Sequence, residues 1–210
     1  LYAITYCSVF MVLFNLSFVF YCNYFNMYWR SWRNNPFPVC FLLKKQMKCD
    51  NIIRYMRNFM QEAILEAQKA ADIGEVPVGA VIVKDDKIIG RGHNMTETGK
   101  DPTRHAEMEA IRQATSAIGY SRLYGCEMYV TCEPCSMCAG AMILARIKKV
   151  IIGTDDPKTG ACGSVLNLLQ ENGLNHQVEI ERGIMAEECG EMMTAFFRRL
   201  RKSKSEEDIR

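Results

Sequence analysis

Residues 1–29 contain no Asp, Glu, Lys, Arg or His. Histidine, proline and net charge are scarce throughout: three His, six Pro and a formal charge of +2 in 210 residues. So small a charge excludes a chain drawn to nucleic acid by bulk electrostatics alone. No internal repeat or low-complexity tract occurs, so a repeat architecture is excluded. With 49% hydrophobic and 24% charged residues, a disordered or collagen-like chain is excluded as well. Ten cysteines are too few in a chain of this length for a disulfide scaffold. Their use points to a reducing compartment, the cytoplasm.

What is present is unevenly spread. Fourteen of the 21 aromatic residues fall within the first 41 positions. Residues 1–55 hold six basic residues and one acid, leaving 20 basic against 23 acidic residues in 56–210. The first 55 residues therefore read as a hydrophobic aromatic leader. Residues 1–29 are long enough to cross a bilayer, and Arg30, Arg33, Lys44, Lys45 and Lys48 follow on the side that stays cytoplasmic. Asn15, Asn23 and Asn26 interrupt that run, and no signal-peptide cleavage pattern accompanies it. The leader is thus expected to be sequence upstream of a start near Met56, with a membrane anchor as the alternative.

Beyond it, Met60, Ala63, Ile64, Ala67 and Ala71 recur at helical spacing from Arg57 to Ile73, and Gly74 supplies a stop. Val78–Val83 and Ile88–Gly90 around Asp85-Asp86 predict a hairpin. Asp101-Pro102 predicts a helix opening, with the helix running to Gly119. A strand is expected at Glu127–Thr131, a helix from Pro134 to Arg146, and a strand at Val150–Gly153. A loop at Asp155–Gly163, a short helix at Val165–Leu169, a strand at Gln177–Glu181 and an amphipathic helix at Ala186–Lys202 complete the pattern. This alternation predicts an α/β domain over 56–202, with helices covering a central sheet, and a charged tail at 203–210.

Two short segments carry chemistry. His105-Ala106-Glu107 lies at the start of one helix and Pro134-Cys135-Ser136-Met137-Cys138 at the start of another. Cysteines three apart are neighbours on a helix, and a helix N-terminus favours thiolates. One imidazole and two thiolates suit zinc, with a fourth position left for water. Glu107 beside such a water would act as base and proton carrier. The bland alternatives are a redox Cys-x-x-Cys pair or a closed cysteine-rich site that recruits Cys126 or Cys132. Neither accounts for the His-x-Glu. Cys132, Cys162 and Cys189 read as small hydrophobes, and His93 and His176 as ordinary surface or core residues.

This pattern resembles the signature of the zinc nucleobase deaminases. The likeness extends to Glu75–Val81, Gly92-His93-Asn94, Asp101-Pro102-Thr103, Thr131–Ala141, Lys158–Ala161, Glu188-Cys189 and Phe196–Arg199, all similar to bacterial tRNA-specific adenosine deaminases. It covers residues 56–202. It implies a three-layer α/β/α cytidine-deaminase-like fold with a mixed five-stranded sheet, one Zn2+ per subunit, a homodimer, and a tRNA anticodon stem-loop as partner. The implied reaction is hydrolysis of adenosine to inosine at the wobble position, with zinc on His105, Cys135 and Cys138 and Glu107 as proton shuttle. It also implies that Asn94 contacts the flipped nucleotide, that Pro77, Val78 and Ala106 wall the base pocket, and that Asp156 contacts RNA. Cys132 stands where this family is expected to carry Leu, and residues 1–55 match nothing in it.

Phe197, Arg198 and Arg199, with Phe196, Arg201, Lys202 and Lys204, form a basic stripe with aromatics of the kind that holds single-stranded loops. The competing expectation is that at least one Phe packs the last helix on the sheet. Two other functions stay open at this point: a zinc deaminase of a free nucleobase or nucleoside, of guanine or cytosine type, and a catalytically silent RNA-binding subunit. The basic helix favours RNA over a free base, and an intact Glu107 argues against silence.

Overall fold

The computed structural model describes residues 37–207; the anchor expected at 1–29 lies outside them, as does the leader expected at 1–55 as far as residue 36. The elements are α1 (Phe37–Asp72), β1 (Gly79–Lys84), β2 (Lys87–His93), α2 (Ala106–Ile118), β3 (Glu127–Cys132), α3 (Ser136–Ala145), β4 (Lys149–Thr154), a 3-10 turn (Leu168–Gln170), β5 (Glu179–Arg182) and α4 (Ala186–Glu207). The chain divides after Asp50, and the sheet and the candidate site belong to the second unit, Asn51–Arg210. No helix among the described residues is long and apolar enough to cross a membrane.

The strands form one sheet in the order β2-β1-β3-β4-β5. β1 runs antiparallel to both neighbours, while β3, β4 and β5 are parallel. Successive strand residues face opposite sides. Hence Ala80, Ile82, Met128, Val130, Val150 and Ile152 pack under α2 and α3. Val81, Val83, Tyr129 and Ile151 pack under α1 and α4 with Met60, Ala63 and Cys189. The expected three-layer α/β/α architecture with a mixed five-stranded sheet is what results. Each large apolar side chain taken wholly out of water contributes about 1.5–3 kcal/mol, and truncating one such as Ile151, which is 0% exposed, to Ala costs about 2–5 kcal/mol.

Two glycines set how closely the helices seat. A Cβ at Gly79 would lie 2.1 Å from the Ala63 carbonyl oxygen on α1, and one at Gly92 would lie 2.1 Å from the Ala106 carbonyl oxygen on α2. The second approach fixes the first turn of α2 against β2.

Several boundaries differ from expectation. α2 begins at Ala106, because Asp101 spends its capping chemistry on a local turn. Its Oδ1 accepts from the Thr103 amide at 2.8 Å and the Thr103 hydroxyl at 2.7 Å. α3 begins at Ser136, two residues after Pro134. The short helix expected at Val165–Leu169 is a single 3-10 turn at Leu168–Gln170. α1 starts well before Arg57, and its buried apolar side chains among the described ones are Met60, Ala63, Ala67 and Ala70, with Ile64 and Ala71 only half-buried.

Candidate metal centre and active site

β3, α3 and β4 form a parallel crossover, and the loop beyond the carboxyl end of β3 is where such a unit places its ligands. There Cys135 is the N-cap of α3, with extended backbone (φ −73°, ψ 174°). His105 is the N-cap of α2, also extended (φ −73°, ψ 157°). Neither side chain makes the usual bond back to its own helix, so both are free to turn toward each other.

The His105 Nδ1 lies 3.6 Å from the Sγ of Cys135 and 3.6 Å from that of Cys138. The three ligand atoms fall within 4.8 Å of one another. Zinc bonds of about 2.3 Å to sulfur and about 2.0–2.1 Å to nitrogen, at tetrahedral angles, require an N···S separation of about 3.6 Å. The donor set and its spacing therefore fit zinc. Among the described residues Cys132 does not join this group.

Without a metal the two thiols compete for one proton. Cys135 is pulled down to about 4, first by a hydrogen bond donated from the Cys138 thiol and further by His105. Cys138, as that donor and buried, is pushed far up. His105 is raised, chiefly by its bond to Cys135. A metal ion needs both sulfurs ionised, so loading must expel the shared proton.

Glu107 occupies the first turn of α2 and is 3% exposed. Burial pushes its carboxyl above the usual range; its own amide, His105 and the Cys138 thiol offset only part of this. A buried carboxyl raised in this way, next to a metal-ligand cluster, is suited to taking up and handing on a proton.

The other expected residues are placed as follows. Asn94 is 6% exposed, and its backbone N–H donates to the Val78 carbonyl at 3.0 Å. Pro77 is buried, Val78 half-buried and Ala106 buried. Asp156 is half-buried and caps its own turn, accepting from the amides of Lys158 at 2.9 Å and Thr159 at 3.3 Å and from the Thr159 hydroxyl at 2.5 Å. Phe197, Arg198 and Arg199 are exposed on α4, and Phe196 is half-buried, in edge contact with Phe197 at 5.4 Å. Arg198 and Arg199 line a groove of ≈ 760 Å³ between α1 and α4, with Gln61, Ile64, Met185 and Met192. The structure thus gathers His105, Glu107, Cys135 and Cys138, and sets the basic stripe in the layer on the other face of the sheet.

Sequence reasoning missed three buried carboxylates. Glu75, 1% exposed, underlies Asn94. Glu133, 4% exposed, gathers the loop after β4: it accepts from the amides of Asp156, Cys162 and Ser164, the Ser164 hydroxyl, and Arg182 at 2.9 Å. Glu66, 2% exposed, pairs with Lys69 at 2.8 Å and His93 at 3.2 Å. Glu66 was legible in part, as a carboxylate falling between Ala63 and Ala67 on the apolar stripe of α1. Cys132, Cys162 and Cys189 behave as expected of small apolar residues, each pushed up to about 12 by burial.

Comparison with known proteins agrees with this geometry. A family model described as MafB19-like deaminase matches residues 55–201. The tRNA-specific adenosine deaminase of Bacillus subtilis (strain 168) is 53% identical over 146 residues, spanning 70% of this chain and 91% of that protein. The tRNA-specific adenosine deaminase of Aquifex aeolicus (strain VF5) is 49% identical over 143 residues, 68% of this chain and 94% of that protein. A solved structure from work on A-to-I editing by tRNA:A34 deaminases at the wobble position superposes with TM-score 0.63 and 41% identity, covering 64% of this chain and 98% of that one. The chain belongs to this deaminase family and, within it, to the tRNA-specific adenosine deaminases.

Proposed function

We propose that this chain hydrolyses adenosine to inosine at the wobble position of a tRNA anticodon, acting on the anticodon stem-loop. The observation that carries the reading is the His105–Cys135–Cys138 cluster with Glu107 buried beside it, in a chain 53% identical to a tRNA-specific adenosine deaminase. His105, Cys135 and Cys138 would hold one Zn2+. Bound there, zinc would supply the acidity that makes a water molecule nucleophilic at neutral pH.

The remaining work falls to the chain. Glu107 accepts a proton from the water whose oxygen bonds to C6 and delivers it to N1 of the adenine. It then carries the proton of the new C6 hydroxyl to the amine, so that the bond from C6 to nitrogen breaks and ammonia leaves. Its raised affinity for protons suits it to both halves of that transfer. Pro77, Val78 and Ala106 provide apolar walls for an unstacked base, and Asn94 meets the flipped nucleotide at the strand end. Asp156 holds its loop in shape for the RNA. Arg198 and Arg199, with Phe197, offer charge and a stacking face to the stem-loop. The chain acts in the cytoplasm as a homodimer; Leu144, 78% exposed near the end of α3, offers a partner subunit an apolar contact.

Incubating the purified chain with tRNA and reading the wobble nucleotide tests this directly. Inosine at that nucleotide is the expected result. Deamination of free guanine or cytosine with none of the stem-loop would replace it with a nucleobase deaminase.

A further inference from the structure

Glu75 is 1% exposed, and its carboxylate is matched by donors that carry no charge. Oε1 accepts from the Thr98 amide at 2.7 Å and the Thr98 hydroxyl at 2.9 Å. Oε2 accepts from the Asn94 Nδ2 at 3.0 Å and the Thr96 hydroxyl at 3.3 Å. Nδ2 of Asn94 also lies 3.2 Å from the Thr96 hydroxyl. An ionised carboxylate can only accept. It therefore admits one of the two orientations of the Asn94 amide and rejects the flipped one, in which carbonyl oxygen would face carboxylate. The donors around Glu75 hold it in that ionised form, below the usual carboxylate range.

We propose that Glu75 is a positioning residue for the deamination: it locks the Asn94 amide so that a single donor–acceptor pattern meets the nucleotide. This rests on the reading of Asn94 as a nucleotide contact. Gln at position 75 would be nearly isosteric but carries both a donor and an acceptor, so it would accept either orientation. The same carboxylate ties the turn after α1 to the segment 94–98, so its effect on the loop must be separated from its effect on the amide.

A double-mutant cycle makes that separation. With kcat/KM on an anticodon stem-loop as the readout, Glu75→Gln alone should cost about tenfold, and Asn94→Ala alone should cost more. In the Asn94→Ala background, Glu75→Gln should cost nothing further, with zinc content unchanged in every variant. Losses that multiply would overturn the proposal, because Glu75 would then act independently of Asn94. Should Glu75→Gln fail to fold, Thr96→Val serves instead, with a smaller loss that must likewise vanish beside Asn94→Ala. Full activity of Asn94→Ala would instead remove Asn94 from the site, and no inosine from the unaltered chain would remove the proposed function.

Discussion

Glu107 and Glu75 are the same residue in opposite surroundings. Both are almost wholly buried, at 3% and 1% exposure. Glu75 is surrounded by hydroxyls and amides that lower its affinity for protons, whereas burial dominates at Glu107 and raises it. Glu133 follows Glu75, with amides, a hydroxyl and Arg182 converging on it. A saturated carboxylate holds loops in place and stays ionised. An under-saturated one beside a metal-ligand cluster is ready to do so. The comparison separates framework from chemistry within one residue type.

The largest effect should come from Glu107. Glu107→Gln should lower kcat by about 10²–10⁴-fold or more while leaving zinc content at the level of the unaltered chain, as measured by metal analysis. A full-rate variant would abolish the contrast with Glu75. Next, Glu75→Gln should cost about 1–3 kcal/mol of stability at neutral pH by leaving buried donors facing an amide. The folded carboxyl binds its proton less readily than the unfolded one, so its stabilisation is present above the ordinary carboxylate pKa and is lost as pH falls through the folded value. The melting difference between the two proteins should therefore shrink in acid. A difference that grows in acid would give Glu75 the wrong sign.

Arg198→Ala with Arg199→Ala should weaken stem-loop binding and reduce the slope of log K against log salt by about two charges' worth. An unchanged slope would confine RNA binding to the other face of the sheet. The smallest effect is expected at Cys132, 8% exposed and with its thiol pushed up to about 12 by burial. Cys132→Leu should change stability by less than about 1.5 kcal/mol and zinc content not at all. Loss of zinc in that variant would make Cys132 a ligand.

Much of the fold was legible because it rests on local periodicity. The alternating strand residues, the α1 stripe through Met60, Ala63 and Ala67, and Gly119 as a left-handed cap (φ 73°) needed no partner to be read. His105, Glu107, Cys135 and Cys138 were legible because two short segments each place their side chains at a helix entrance. What could not be read was non-local. Asp101 looks like a helix cap in sequence, and only its bonds to Thr103 show that a turn consumes it. The Glu75–Thr98 and Glu133–Arg182 contacts join residues 23 and 49 positions apart, and nothing at either end announces the other. That α4 carries Arg198 and Arg199 on the opposite layer from the cysteines depends on the strand order, which periodicity alone does not specify.

In the proposed reaction one imidazole and two thiolates hold a zinc ion with a position left open beside Glu107. X-ray absorption at the zinc edge on the purified chain tests it most directly. One zinc per chain with two sulfur and two lighter neighbours is the expected result. A metal-free protein, or a third sulfur in the coordination shell, would contradict it.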